Sequence, residues 1–261
     1  MTKIHHYTLG SGKSIVLVHG RAMHSGVWRD FAKQLAQHYR VTCVDLPGHG
    51  YSESCDAFTL ANISAALVGA VEDENSCWLG WSLGATVVLD LAARYPERVN
   101  ALILLAGNPR FVQAPSGLDD NWPGMAVDIF DTFANNLRND PQSTLAQFLS
   151  LQVQGLPYAK TTLRQFKELL SECSFPCQNI LQSGLALLRH SDMRTVLASL
   201  DIPVSVILGT KDVLVPVAVG QYLCDNTSKI QLTSIEGAGH ALFLSHTPQV
   251  LAVISQFMDE Q

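Results

Sequence analysis

Five short apolar runs, 14–18, 41–45, 77–81, 101–106 and 203–208, punctuate the chain, and between them lie stretches of helical character near 26–38, 59–71, 83–95 and 247–258. The runs are almost uniformly apolar, as in Ala101-Leu102-Ile103-Leu104-Leu105-Ala106, which is the pattern of strands buried on both faces. Strands of that kind alternating with helices predict an α/β fold: a mostly parallel central sheet with helices on both faces. A further short run, Ile230-Gln231-Leu232-Thr233-Ser234, reads as another strand. Between about 110 and 195 the rhythm breaks, and helical patterns rich in Leu, Phe and Gln replace the strand signals. The expected organisation is a core made of 1–109 and 196–261, with 110–195 inserted as a helical cap.

In a parallel sheet, reactive loops collect at the carboxyl ends of the strands. Gly80-Trp81-Ser82-Leu83-Gly84 sits at such an end, between the apolar run Cys77-Trp78-Leu79 and a helix-forming segment that begins near Ala85. A G-x-S-x-G joining strand to helix reads as a nucleophile elbow, in which two glycines let the backbone crowd around a sharp turn and lift the serine hydroxyl out of the sheet. Alone, the pattern is also that of an ordinary turn. A serine nucleophile needs a histidine to take its proton and a carboxylate to orient the histidine, in the chain order Ser, acid, His. Both follow: Asp212 lies just beyond the strand 203–208, and His240 ends the small-residue loop Glu236-Gly237-Ala238-Gly239 after 230–234. Asp201 precedes its strand and Asp192 falls in a helical segment, so both read as surface carboxylates. His5, His6, His38, His190 and His246 lack a strand-end context, and His19 and His49 belong to glycine turns. An oxyanion hole requires two backbone N–H groups; Leu83 supplies the first and Arg21, in the turn after 14–18, the second.

At 261 residues with 47% hydrophobic and 15% charged side chains, the chain has material for one large core and is not of disordered composition. A net charge of −6 argues against generic binding to nucleic acid or an anionic membrane. The first residues lack the apolar stretch of a signal peptide, and no segment has the roughly 20 apolar residues that span a bilayer, so a cytoplasmic protein is expected. Its six cysteines are then reduced, and the spacing of Cys173 and Cys177 fits no common zinc knuckle, so no metal is assigned. Aromatic residues of the inserted segment, among them Phe111, Trp122, Phe130, Phe133 and Phe148, either line a pocket above Ser82 or pack the cap. Lys160, Arg164 and Lys167 recur at i, i+4 and i+7, one stripe of a helix that reads either as a solvated face or as a docking surface for an acidic partner.

Taken in order, His19-Gly20, Asp45-Leu46-Pro47-Gly48-His49-Gly50-Tyr51-Ser52, the Gly80–Gly84 pentapeptide, Asp212 and Gly239-His240 resemble the α/β-hydrolase superfamily over essentially the whole chain. Trp78-Leu79-Gly80-Trp81-Ser82-Leu83-Gly84, Pro96-Glu97-Arg98-Val99 and Phe148-Leu149-Ser150-Leu151-Gln152 resemble, more narrowly, the biotin-pathway carboxylesterases of the BioH family, which hydrolyse the methyl ester of pimeloyl-acyl carrier protein. That resemblance implies a triad of Ser82, Asp212 and His240, oxyanion donors at Arg21 and Leu83, and substrate contacts from Arg21, Ser82, Leu83 and His240 and from Phe148, Leu149, Ser150, Leu151 and Gln152. It implies no cofactor, and a partner acyl carrier protein docked on Arg138, Lys160, Arg164 and Lys167 of a monomeric enzyme. Two positions depart from the family pattern. Arg21 stands where an aromatic residue is usual, and Ala85 replaces a second glycine after the elbow. A broad carboxylesterase or a carbon–carbon bond hydrolase or lyase of the same fold is the alternative, and a non-catalytic ligand-binding protein a more distant one.

Overall fold

A computed structural model describes residues 2–113, 122–154, 156, 158–227 and 230–261. Seven strands, β1 (His6–Leu9), β2 (Ser14–Val18), β3 (Arg40–Val44), β4 (Ser76–Trp81), β5 (Val99–Leu105), β6 (Val204–Gly209) and β7 (Ile230–Ile235), form one sheet in the order β1-β3-β2-β4-β5-β6-β7. Only β1 runs antiparallel, paired with β3; every other pairing is parallel. The apolar runs read from the sequence correspond to β2 to β6 within one or two residues. β4 and β6 are buried at every position, which explains their unbroken apolarity. β1 carried no such signal: His6-Tyr7-Thr8-Leu9 is an edge strand whose side chains stay partly exposed.

The helices are α1 (Arg29–Leu35), α2 (Leu60–Ala70), α3 (Leu83–Arg94), α4 (Val127–Asn139), α5 (Pro141–Gln152), α6 (Ala159–Leu170), α7 (Gln178–His190), α8 (Arg194–Ser199), α9 (Ala218–Asn226), α10 (Leu242–Ser245) and α11 (Thr247–Asp259). α3, buried along nearly its whole length, packs on β4 and β5, while α9 and α11 pack on β7. Between β5 and β6 the chain passes through α4 to α8, in the region expected to be inserted; its positions 114–121, 155 and 157 lie outside the described residues. α4 packs against α5 and α7, α6 rests on a 3-10 turn at Ser25–Trp28, and α7 touches α3. Among the described residues no helix is long and apolar enough to cross a membrane.

The strand order has one consequence for chemistry. From β2 the chain crosses to β3 on one side and then returns to lay β4 on the other, so the loops leaving β2 and β4 part at the point where the winding reverses. Such a switch point leaves a crevice at the carboxyl edge. Val18 and Gly80 are register partners there, which sets the loop beginning at His19 beside the turn that holds Ser82.

Candidate active site

The turn from β4 into α3 is possible only because two positions lack a side chain. A Cβ on Gly80 would lie 2.3 Å from the Gly84 carbonyl oxygen, and one on Gly84 would lie 2.4 Å from that of Val18. Between them Ser82 takes φ 57°, ψ −117°, a conformation non-glycine residues avoid, and its N–H is tied to the Leu105 carbonyl at 3.1 Å. Ala85, the departure from a second glycine, is accommodated from the other side: a Cβ on Gly107 would fall 2.5 Å from that of Ala85.

Asp212 and His240 are brought together by two interlocked loops. Thr210 N–H donates to the Ile235 carbonyl at 3.1 Å, Lys211 N–H to that of Ala238 at 2.8 Å, and Gly237 N–H to the Thr210 hydroxyl at 2.9 Å. Asp212 Oδ1 accepts from Leu214 N–H and Val215 N–H at 2.8 and 3.0 Å, which fixes the carboxylate plane. Its Oδ2 lies 2.7 Å from His240 Nδ1, with both side chains wholly buried. A carboxylate can only accept, so Nδ1 carries the proton and Nε2 presents its lone pair. Below the imidazole, Trp81 Nε1 donates to the His240 carbonyl at 3.0 Å, and Trp81, Trp28 and Phe243 form an aromatic floor. Nε2 is buried and has no hydrogen-bond partner among the described residues, so Ser82 and His240 are not bonded to each other in this structure. In the absence of substrate such bonds are commonly long and tighten in the reacting complex.

The loop after β2 forms a turn closed by Met23 N–H donating to the Gly20 carbonyl at 3.3 Å, with Ala22 at φ 61°. Arg21 occupies the second position of that turn, leaving its N–H outside the turn's own bond, and Gly20 abuts Ser82 so closely that an added Cβ would sit 3.2 Å from the Ser82 Cβ. His19 braces the loop. Its Nδ1–H donates to the Gly20 carbonyl at 2.8 Å, and its Nε2 accepts from Leu46 N–H at 3.0 Å. His24, to which the sequence reading gave no role, ties the loop to the helices above: Gly26 N–H donates to Nδ1 at 3.1 Å and Nε2–H to the Leu169 carbonyl of α6 at 3.1 Å.

His19 and His49 thus do structural work. Burial drives each from 6.5 down to about 3, so both are neutral in the folded protein. The unfolded chain takes up two protons below about pH 6.5 that the native state refuses, so this stability is complete above pH 6.5 and is lost as pH falls toward 3. Between about pH 6.5 and 5.5, where carboxylates scarcely titrate, each histidine should remove about 1 kcal/mol. Urea unfolding at the two pH values measures the loss, and His49→Gln should halve it.

The five residues Phe148–Gln152, expected to contact substrate, lie at the end of α5 and point around the circumference of the helix. Phe148 turns toward the loop after β2, its ring 4.6 Å from the Arg21 guanidinium. Gln152, one turn on, is buried, with its carbonyl accepting from Ala241 N–H at 3.2 Å beside His240. Leu149 instead lines a cavity of about 510 Å³ among α5, α6 and α7, and Ser150 is exposed, its hydroxyl donating to the Ala146 carbonyl. Lys160, Arg164 and Lys167 are exposed along one side of α6, opposite its buried Thr162, Phe166 and Leu170. They line one shallow groove with Glu168, whereas Arg138 belongs to a different groove, between α4 and α7.

All six cysteines are free thiols, and burial pushes the Cys43 thiol up to about 12 and Cys77 further. Among the described residues no group of three or more His, Cys, Asp or Glu side chains is arranged to hold a metal ion. Asp192 is taken up by Arg194 and Arg110.

Residues 13–247 match the model of the alpha/beta hydrolase fold. The chain is 38% identical over 251 residues to a pimeloyl-[acyl-carrier protein] methyl ester esterase of Methylococcus capsulatus, covering 96% of each, and 34% identical over 261 residues to the Yersinia pseudotuberculosis protein of that name, covering 100% and 99%. Among solved structures, it resembles a bromoperoxidase from Bacillus anthracis (TM-score 0.87, 19% identity, covering 99% of this chain and 96% of that one). An esterase from Exiguobacterium antarcticum is similar too (TM-score 0.84, 23% identity, 99% and 96% covered); likeness at these identities speaks to fold alone. The full-length matches to the esterases carry more, and the chain belongs to the α/β-hydrolase fold family and, within it, to the family of pimeloyl-[acyl-carrier protein] methyl ester esterases.

Proposed function

We propose that this protein is a serine carboxylesterase that hydrolyses the methyl ester of pimeloyl-acyl carrier protein, releasing methanol and pimeloyl-acyl carrier protein in biotin biosynthesis. The observation that carries the reading is a buried Asp212–His240 pair at the same sheet edge as a strained Ser82, in a chain whose relatives of that name match it end to end. In the first half-reaction Ser82 Oγ attacks the ester carbonyl carbon and passes its proton to His240 Nε2, and the oxyanion takes hydrogen bonds from the Arg21 and Leu83 backbone N–H groups. The intermediate collapses to an acyl-enzyme as His240 protonates the departing methoxide. Water, deprotonated by the same nitrogen, then attacks the acyl carbon, and Ser82 recovers its proton as the carboxylate leaves. Asp212 holds the imidazole in the Nδ1–H tautomer throughout and stabilises its charged form. No step calls for a cofactor.

In this reading α4 to α7 act as the cap, and the carrier protein docks on the basic side of α6. A carrier with an acidic surface would lower KM through such contacts without touching the chemistry. Arg164 is partly engaged by Glu168 at 3.8 Å with both side chains mostly exposed, a pairing weak enough to be exchanged for a partner's carboxylate. The double substitution Arg164→Glu/Lys167→Glu should raise KM for the carrier-linked ester about 10-fold or more while leaving kcat and the hydrolysis of a small free ester unchanged. Equal losses on both substrates would remove the docking role. The activity itself is tested by methanol release from pimeloyl-acyl carrier protein methyl ester against a small free ester. Comparable kcat/KM for the two would reduce the protein to a broad carboxylesterase.

A further inference from the structure

Arg21 is the position at which this chain departs from the aromatic residue usual in the family it resembles, and its side chain is in an unusual state. The residue is 2% exposed, and neither Nη1 nor Nη2 has a hydrogen-bond partner among the described residues. The guanidinium lies against two aromatic rings of the helices above, 5.1 Å from the centre of Phe133 and 4.6 Å from that of Phe148, which pack on each other with centres 5.7 Å apart. Its aliphatic stem passes beside Leu83 and under Gly184: a Cβ on that glycine would lie 3.4 Å from Arg21 Cγ, 3.6 Å from Cδ and 3.7 Å from Leu83 Cδ2. A glycine inside α7 is unfavourable to the helix. An alanine there would meet the arginine stem at ordinary van der Waals distances.

The stem starts in the turn beside Ser82 and passes the Leu83 side chain, and the fork ends against Phe133 and Phe148 of the helices above. Burial lowers the guanidinium from 12.5 to about 9, which leaves it charged at neutral pH. A charge removed from water and facing only aromatic rings is an incomplete arrangement, and buried cations are ordinarily paired. The two unpartnered nitrogens are those of the fork that meets a carboxylate through two parallel hydrogen bonds.

We propose that the Arg21 guanidinium is a carboxylate-binding group of the catalytic pocket, and that its ligand is the carboxylate formed at the reacting end of the acyl chain. This rests on the ester-hydrolase reading above. Hydrolysis turns an uncharged ester into an anion beside a buried cation, so Arg21 discriminates between substrate and product and favours the product. The enzyme is accordingly held back by free carboxylates of matching chain length, and a diacid half-ester binds acid end first, with its ester turned away from Ser82.

The binding test needs no turnover. Heptanoate and heptanamide are titrated calorimetrically into Ser82→Ala protein, and into the same protein carrying in addition Arg21→Gln or Arg21→Trp. Heptanoate affinity should fall at least 10-fold with either replacement, whereas heptanamide should bind all three alike. Thermal melting of each variant verifies that it is folded, and two replacements of different shape guard against a local collapse in one. Heptanoate affinity independent of residue 21, or no heptanoate binding to the Ser82→Ala protein, overturns the proposal. A kinetic arm places the carboxylate: acid-end-first binding of monomethyl pimelate is nonproductive, so its kcat and KM should both fall below those of dimethyl pimelate by the same factor, and Arg21→Gln should remove the difference. A preference for the monomethyl ester that depends on Arg21 would overturn the assignment to the reacting end. Failure of either arm while the carrier-linked ester is still hydrolysed removes the role of Arg21 alone; loss of that hydrolysis in the wild type removes the ester-hydrolase reading.

Discussion

Ser82→Ala should lower kcat on any ester by at least about 10⁴-fold, because in the proposed mechanism it removes the nucleophile and leaves only binding and oxyanion stabilisation. The position also carries strain, and that gives a second readout with the opposite sign. At φ 57°, ψ −117° any side chain is disfavoured, and the elbow persists because Gly80, Gly84 and the bond from Ser82 N–H to Leu105 determine the turn around it. Alanine keeps that penalty, whereas glycine does not. Ser82→Gly should therefore be as inactive as Ser82→Ala yet unfold at a higher denaturant midpoint, with about 1 kcal/mol in its favour over alanine at a left-handed position. Paired urea titrations and methanol-release assays check both signs. An inactive but destabilised glycine variant would mean that the geometry of Ser82 is relaxed and unstrained.

What the sequence disclosed follows from which interactions are periodic. β4 and β6 are buried at every position, so their apolarity is continuous and readable; β1 is an edge strand and α9 and α10 are short, so nothing in their composition sets them apart. The elbow was legible because close backbone approach demands glycine at Gly80 and Gly84, and Asp212 and His240 because both end strands in small-residue loops. Properties that depend on how distant segments meet were not legible. Nothing in His24 itself announces that it bridges to Leu169, and the stripe on α6 gave no hint that Arg138 faces another groove. Nor did the run Phe148–Gln152 itself show that helical periodicity sends Leu149 and Ser150 away from Phe148. Arg21 is the sharpest case. Its place in a turn beside Ser82 was readable, but an arginine buried against Phe133 and Phe148 with its fork unpaired runs against the ordinary expectation that a charged side chain seeks water.

Asp212→Asn should cost about 10⁴-fold in kcat while leaving the fold intact, and the loss follows from the direction of the hydrogen bonds. The two oxygens of Asp212 do different work: Oδ1 accepts from the Leu214 and Val215 N–H groups, and Oδ2 accepts from His240 Nδ1–H. An asparagine has one acceptor to offer. Its carbonyl oxygen must stay at the Oδ1 position, since turning the amide would aim NH₂ at two backbone N–H groups and leave all three buried donors without acceptors. The NH₂ group then faces Nδ1, and His240 can meet it only by giving up the Nδ1 proton and carrying one on Nε2 instead. In that tautomer Nε2 is a donor and cannot accept the serine proton. Asp212→Ala removes the Oδ1 acceptor as well, so it should lose about 1–3 kcal/mol of stability for each stranded N–H, while Asp212→Asn should lose little. Wild-type activity in Asp212→Asn would remove His240 as the general base. Equal destabilisation of the two variants would mean that Oδ1 does not anchor the loop.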